Sequence, residues 1–284
     1  MKKIIIFMII SVCSLGLGFG IMNSSPEVEK KLESAISITD GKLDKANEGK
    51  LVVVSGKLDA DLPIVDPVTD VTIPYIKAYR IVHEFRHIPG TDYEYEWDKL
   101  SENYSDENNG GVNGDYNVSG MIIANCRIGD IEIDPPLLKQ LNAGTNWKNI
   151  SQKHLGKYPF KIGKDKISEE VYLSENGFHP EFNAEYDSFM YKENVGDICY
   201  NYTIVDENDP LEYTILGIQR GNGIVEDKDI DCLPLMEGIH DAKDFKESTI
   251  SSYSKMYIGL LIAGFVFLVL GIRAIISRKK EKDL

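Results

Sequence analysis

His83-Glu84-Phe85-Arg86-His87 is the stretch of this sequence whose residue types and spacing best suit a reaction. On a helix, H-E-x-x-H brings two imidazoles to one face of a zinc ion and sets the glutamate to activate the metal-bound water. His83 and His87 would then be ligands and Glu84 the general base of a metallopeptidase. Gly90 falls where the longer H-E-x-x-H-x-x-G-x-x-H form has its glycine, but the third ligand position holds Tyr93, a rare zinc ligand. Arg86 puts a charge between the two ligands, Pro89 stops a helix two residues after His87, and Pro74 stands not far before. On a strand the histidines still share a face, yet Glu84 points to the other one. The expectation is a strand that holds no metal and has no catalytic residues, with a zinc-dependent membrane peptidase as the alternative.

Other chemistry is thinner. Asp106-Glu107-Asn108 to Asp115, and Glu226-Asp227-Lys228-Asp229-Ile230-Asp231, are calcium loops by composition only. Neither has D-x-D-x-D-G spacing with a glutamate at position twelve. Solvated loops are expected, and an extracytoplasmic cation sensor is a third reading. There is no phosphate-binding GxxxxGK[ST], G-x-S-x-G elbow or dinucleotide fingerprint, so no cofactor is expected. The four cysteines form no CxxC pair. Cys13 lies in an apolar run, while Cys126, Cys199 and Cys232 allow one bridge with one free thiol, or no bridge at all.

The elements that must position such residues begin at the two ends. Ile4 to Met22 carries no charge and follows Lys2-Lys3; Met256 to Ile276 is interrupted only by Arg273, and Arg278, Lys279, Lys280 and Lys282 follow. Nineteen helical residues reach about 28 Å, close to the hydrocarbon thickness of a bilayer. Both basic flanks lie at the outer ends, so the positive-inside rule puts both termini in the cytoplasm and residues 23–255 on the other side. The rival is a signal peptide cleaved after Gly20, with Gly18 and Gly20 as the small residues. The 284 residues are 43% hydrophobic and 27% charged, which is globular arithmetic. The net charge of −14 excludes a basic nucleic-acid footprint, and residues 23–255 alone hold 24 Lys/Arg against 43 Asp/Glu.

Between the spans the pattern predicts an α+β chain with a β-rich extracytoplasmic domain. Residues 23–46 are expected as a juxtamembrane helix or linker, 47–235 as the β-rich domain, 236–255 as a second juxtamembrane helix and 277–284 as a basic cytoplasmic tail. Leu51-Val52-Val53-Val54 lacks the alternation of a half-exposed strand and reads as buried on both faces. Ile76–His87 and Tyr93–Trp97 are expected to form a hairpin about Pro89-Gly90. Further strands are expected over Met121–Ile133, Val195–Val205, Tyr213–Gln219 and Gly223–Glu226. A short helix should follow Pro135-Pro136. Tyr93, Tyr95 and Trp97 share one face, with Glu94 and Glu96 on the other.

Asn47-Glu48-Gly49-Lys50, running into Leu51-Val52-Val53-Val54-Ser55-Gly56, resembles the opening motif of the transmembrane protein 43 (LUMA) family. Arg80-Ile81-Val82-His83-Glu84-Phe85-Arg86-His87 is similar to that family's R-x-V-E-M-Y-Q-W strand, with histidine at position 87 where the family has tryptophan. Tyr93-Glu94-Tyr95-Glu96-Trp97 resembles its tyrosine-rich strand, Val195-Gly196-Asp197-Ile198 its V-G-D-[IL] strand, and Arg220-Gly221-Asn222 its R-G-[DN] turn. The motifs run in the family's order from about residue 45 to 225. Eukaryotic members carry several C-terminal spans where this chain has one. The resemblance implies a membrane-anchored, non-enzymatic scaffold or adaptor that organises membrane protein complexes. Its partners would be other membrane proteins or further copies of itself.

Overall fold

The structure is a computed structural model, and it describes residues 2–38, 41–87, 95–100, 119–164, 168–175, 196–230 and 232–282. Two apolar helices at the chain ends flank a β-rich part containing several sheets, so the chain is α+β. The chain divides into two compact units. Unit 1 comprises Met1–Lys57, Ile128–Ile131 and Glu212–Leu284; unit 2 comprises Leu58–Arg127 and Glu132–Leu211. The stretch 47–235, expected as one domain, contributes to both.

Unit 1 is built on two long helices, α1 (Lys2–Glu33) and α2 (Ala242–Lys282). At 1.5 Å per residue they are about 48 and 62 Å long, well beyond the roughly 30 Å of a bilayer core. Their contacts run antiparallel in a constant register. Phe7 meets Phe267, Ser11 Oγ donates to the Gly264 carbonyl at 2.8 Å, Gly18 lies against Leu261, and Lys246 pairs with Glu29 and Glu33. Gly264 is obligatory for this approach, because a Cβ there would lie 2.6 Å from Leu15 Cγ. A serine whose hydroxyl reaches a backbone oxygen of the facing helix leaves no buried polar atom unpaired.

Neither helix stops at the end of its apolar run. Helix α1 continues to Glu33, into the stretch 23–46 expected as a juxtamembrane helix or linker. Its Val28 and Leu32 are buried with Phe245 of α2 and with Leu51, Val53, Leu216 and Ile230. Strand β1 (Ile36–Ile38) follows and pairs parallel with β2 (Leu51–Lys57). β2 in turn pairs antiparallel with the Glu212–Arg220 strand, Val53 opposite Leu216. Val52, Val53 and Val54 are all at most 1% exposed, as their unbroken β-branched run predicts. Gly56 has a close-packing reason: a Cβ there would overlap the Ile128 side chain.

The expected helix from residue 236 is corrected. Leu235–Glu237 is a strand, with Met236 opposite Thr214. Gly238, at φ +85, ends it. The helix waits for Asp241, whose side chain accepts from the Asp244 backbone N–H at 2.8 Å as an N-cap does. Thr214 Oγ1 accepts from the His240 N–H and Ser37 Oγ from the Ala242 N–H, both at 2.8 Å, which ties the start of α2 to the sheet.

Unit 2 holds a second sheet in the order Lys161–Lys164, Val171–Ser174, Ile198–Ile204, Lys77–His87, Tyr95–Lys99. Lys77–His87 and Tyr95–Lys99 pair antiparallel, as a hairpin requires, but the turn at 88–94 lies outside the described residues. The Asp106–Asn117 loop also lies outside them, and so do the side chains of Tyr93, Glu94, Tyr95, Glu96 and Trp97. The single strand expected over Met121–Ile133 is three, Gly120–Ile123, Cys126–Ile128 and Ile131–Ile133. The last two are separated by a turn at Gly129, φ +59, a conformation a side chain disfavours. After Pro135-Pro136 the chain makes a short 3-10 helix, Pro135–Leu138. Val71, Ile73, Val82, Trp147, Leu173 and Tyr202 stand at the centre of this unit's core.

Candidate functional site

The motif residues separate into two sets. Asn47, Glu48, Gly49, Lys50, Gly56, Arg220 and Gly221 belong to unit 1, and Arg80, Trp97, Gly196 and Asp197 to unit 2. Within unit 1 the sheet brings the first and the last motif together. A 3-10 turn, Lys45–Asn47, leads into β2 and is capped by Asp44, whose carboxylate accepts from the Ala46 N–H at 2.9 Å. Gly49 then turns the chain at φ +74. Its N–H donates to the Gln219 carbonyl, and the Gln219 N–H donates to the Lys50 carbonyl, both at 3.0 Å. On the far side Gly221, at φ +58, reverses the chain and gives its N–H to Glu48 Oε2 at 3.0 Å. Arg220 Nη1 lies 4.0 Å from Glu48 Oε1, with both side chains half exposed, so this pair adds little to stability.

Beside this crossing is a cavity of about 710 Å³, lined by Lys42, Lys45, Glu48, Asp130, Gln219 and Asn222 among others. Gln219 forms its buried part, only 1% exposed. Its Nε2 donates to the Asp44 carbonyl at 2.7 Å, which fixes the orientation of the amide, since only the nitrogen can donate there. Its Oε1 is the one buried side-chain polar atom among the described residues that has no partner. The sequence marks Gln219 only as a polar residue ending an apolar strand, Tyr213–Ile218.

Unit 2 contains the opposite arrangement. Arg80, on the Lys77–His87 strand, reaches Asp66 at 2.5 Å, with the carboxylate wholly buried and the guanidinium nearly so. Tyr202 OH donates to the other Asp66 oxygen at 2.6 Å, and the Val68 N–H donates to Asp66 Oδ1 at 2.9 Å. Thr69 Oγ1 lies 2.5 Å from the Tyr202 hydroxyl. Burial raises the Asp66 pKa, but the hydrogen bonds from Arg80 and Tyr202 and the Arg80 charge outweigh it and hold the carboxyl below its ordinary value. Burial, and then the same carboxylate, push the Tyr202 phenol well above its ordinary range. Asp66-Pro67 is a visible turn signal, but Tyr202 is 136 residues away from its partner and carries no local sign of it. Lys77 is likewise buried, its ammonium donating to the carbonyls of Lys139 and Leu141 at 2.5 and 2.6 Å.

H-E-x-x-H lies on the Lys77–His87 strand, not on a helix. Four strand residues carry His83 and His87 about 13 Å apart along the chain, against about 6 Å on a helix. His83 Nε2 lies 3.1 Å from Asn201 Oδ1, and its ring meets Tyr172 edge-on at 5.8 Å. Glu84 alternates to the other face, opposite Ile198 and Asp98. The strand therefore lacks the spacing a zinc peptidase draws from this motif. Gly196, at φ +94, donates to the Phe85 carbonyl, and the Phe85 N–H donates to that of Asp197, so these two motif residues close the end of the sheet ladder.

Asp227, in the acidic stretch from Glu226, accepts from the Asp229 N–H at 2.9 Å, and Lys31 donates to the Asp229 carbonyl at 2.5 Å, which is the work of a structural turn. None of the four cysteines is in a disulfide. Burial, with Asp61 and Asp59 nearby, pushes the Cys126 thiol up to about 12, so it stays protonated and unreactive at neutral pH. No family model matches this chain, and no curated protein or solved structure matches it either.

Proposed function

We propose that this chain is a two-pass membrane protein, both termini cytoplasmic, and a non-enzymatic scaffold of the transmembrane protein 43 (LUMA) type. Its acidic β-rich part stands outside the cytoplasm and organises membrane protein complexes. One observation carries the reading: two helices long and apolar enough to cross a membrane run without a break into the core of a folded unit. Over the apolar lengths the outward side chains are large and hydrophobic, Ile5, Ile9, Val12, Leu17, Ile262, Phe265 and Val269 among them, each about half exposed or more. Such a surface is costly in water and at ease in lipid. The ion pairs of Lys246 with Glu29 and Glu33, and the burial of Val28, Leu32 and Phe245, keep the two helices together beyond the apolar length. A stalk of this kind ties the position of unit 1 to the bilayer, which suits an adaptor better than a freely diffusing enzyme. The meeting of the Asn47-Glu48-Gly49-Lys50 and Arg220-Gly221 motifs at one sheet end supports the family reading.

The test is crosslinking in native membranes followed by purification of the full chain in mild detergent. The scaffold reading expects a stoichiometric membrane-protein partner or a defined homo-oligomer. A single-copy chain with peptide-hydrolysing activity that Glu84→Ala abolishes would replace it with the peptidase.

A further inference from the structure

Resting on the two-pass reading, we propose that the cytoplasmic end of the α1–α2 hairpin binds anionic phospholipid headgroups. The helix packing assembles that end from two stretches far apart in sequence. Phe7 meets Phe267, and Met8 Sδ lies 3.1 Å from where a Cβ at Gly271 would stand. In that register the first turn of α1, with Lys2 and Lys3, comes level with Arg273. Helix α2 then runs on past the start of α1, through Arg278, Lys279 and Lys280 to Lys282. Glu281 and Asp283 are the acidic side chains there. The far end of the same two helices has no such excess of one sign. There Lys30, Lys31, Lys243, Lys246 and Lys255 are matched by Glu27, Glu29, Glu33, Asp244 and Glu247.

The depth of these cations favours lipid over a soluble acidic partner. Ile272, Ile275 and Ile276 are about half exposed and flank the exposed Arg273, so apolar surface and the first cation meet on one stretch of α2. At 1.5 Å per residue, Arg278 and Lys282 stand about 8 and 14 Å beyond Arg273 along the helix. The headgroup layer is about 5–8 Å deep on each side of the hydrocarbon, and a Debye length adds about 8 Å. Every basic residue of the tail therefore lies where a charged bilayer surface acts on it. Clusters of about four to eight Lys/Arg directly beside a span hold anionic lipid by this attraction.

The full chain, reconstituted into phosphatidylcholine vesicles containing phosphatidylglycerol, tests this by electron spin resonance with spin-labelled forms of the two lipids. Labelled phosphatidylglycerol should be immobilised by the chain at least about threefold more than labelled phosphatidylcholine. That preference should approach one in about 1 M NaCl, where the Debye length falls to about 3 Å. It should fall at least about twofold when Arg278→Gln, Lys279→Gln, Lys280→Gln and Lys282→Gln are combined, a change confined to the last turns of α2. Equal immobilisation of both lipids by the parent overturns the proposal and leaves the two-pass reading standing. A parental preference kept at high salt or in the combined variant overturns it equally. No immobilised lipid of either kind means that the helices do not span the bilayer, which overturns both.

Discussion

The two units bury polar groups on opposite terms. In unit 2 the Asp66 carboxylate receives Arg80, the Tyr202 hydroxyl and the Val68 N–H, so the charge is fully answered by its own chain. In unit 1 the core about Val53, Leu216 and Phe245 is apolar, and Gln219 Oε1 is buried with no partner. Burying a satisfied network and burying an orphan atom have different uses. The first fixes a fold, because removing any member strands the rest. The second costs stability without tying any element in place. A buried polar residue is therefore a poor guide to function until its partners have been traced.

Substitutions can break this contrast, and their expected effects fall in order. Val53→Asp places a carboxylate in the apolar core of unit 1, among Leu51, Leu216, Ile230 and Phe245. The loss should be about 5 kcal/mol, enough to unfold the unit in limited proteolysis of the full chain. Parental resistance to protease would mean that β2 is not a core strand. In unit 2, Asp66→Ala should cost about 3–5 kcal/mol, because it strands a buried guanidinium. Chemical denaturation reads this directly, and a loss under about 1 kcal/mol would show that the pair is not buried in solution. Tyr202→Phe removes one hydrogen bond to a charged group and should cost about 2 kcal/mol. Arg127→Ala removes an exposed arginine from Asp59 and Asp61 and should leave the denaturation midpoint at the parent's value.

Acid sharpens the same contrast. The Asp66 pKa is lowered in the folded state, so its contribution is complete above the unfolded carboxylate value. It is lost as pH falls through the lower folded value. Denaturation midpoints of the parent should therefore drop below about pH 4, the ordinary aspartate range, more steeply than those of Asp66→Ala. Parallel pH profiles would mean that Asp66 does not hold a lowered pKa.

What the sequence disclosed follows the range of the interactions. Leu51-Val52-Val53-Val54 was legible as a buried strand because burial on both faces writes itself into consecutive residues. The strand nature of His83–His87 was legible from Pro89 and Pro74, which leave little room for a helix between them. The strand at Leu235–Glu237 was not, because three residues cannot show a period, and pairing with Tyr213–Ile215 decides their state. Asp66 and Tyr202, or Gln219 and Asp44, meet across 136 and 175 residues. No local pattern announces such a pair, and the unpartnered oxygen of Gln219 exists only once the fold has used its nitrogen.

The proposed topology is a helical hairpin across the bilayer with the β-rich part outside. Cysteines placed one at a time at Lys2, Asp227 and Asp283, in a chain with Cys13 and Cys232 changed to serine and only the buried Cys126 and Cys199 kept, can be labelled in intact cells with a membrane-impermeant maleimide. The Asp227→Cys chain should be labelled from outside, and the Lys2→Cys and Asp283→Cys chains only after lysis. Labelling of either terminus from outside, or protection of Asp227→Cys until lysis, would contradict it.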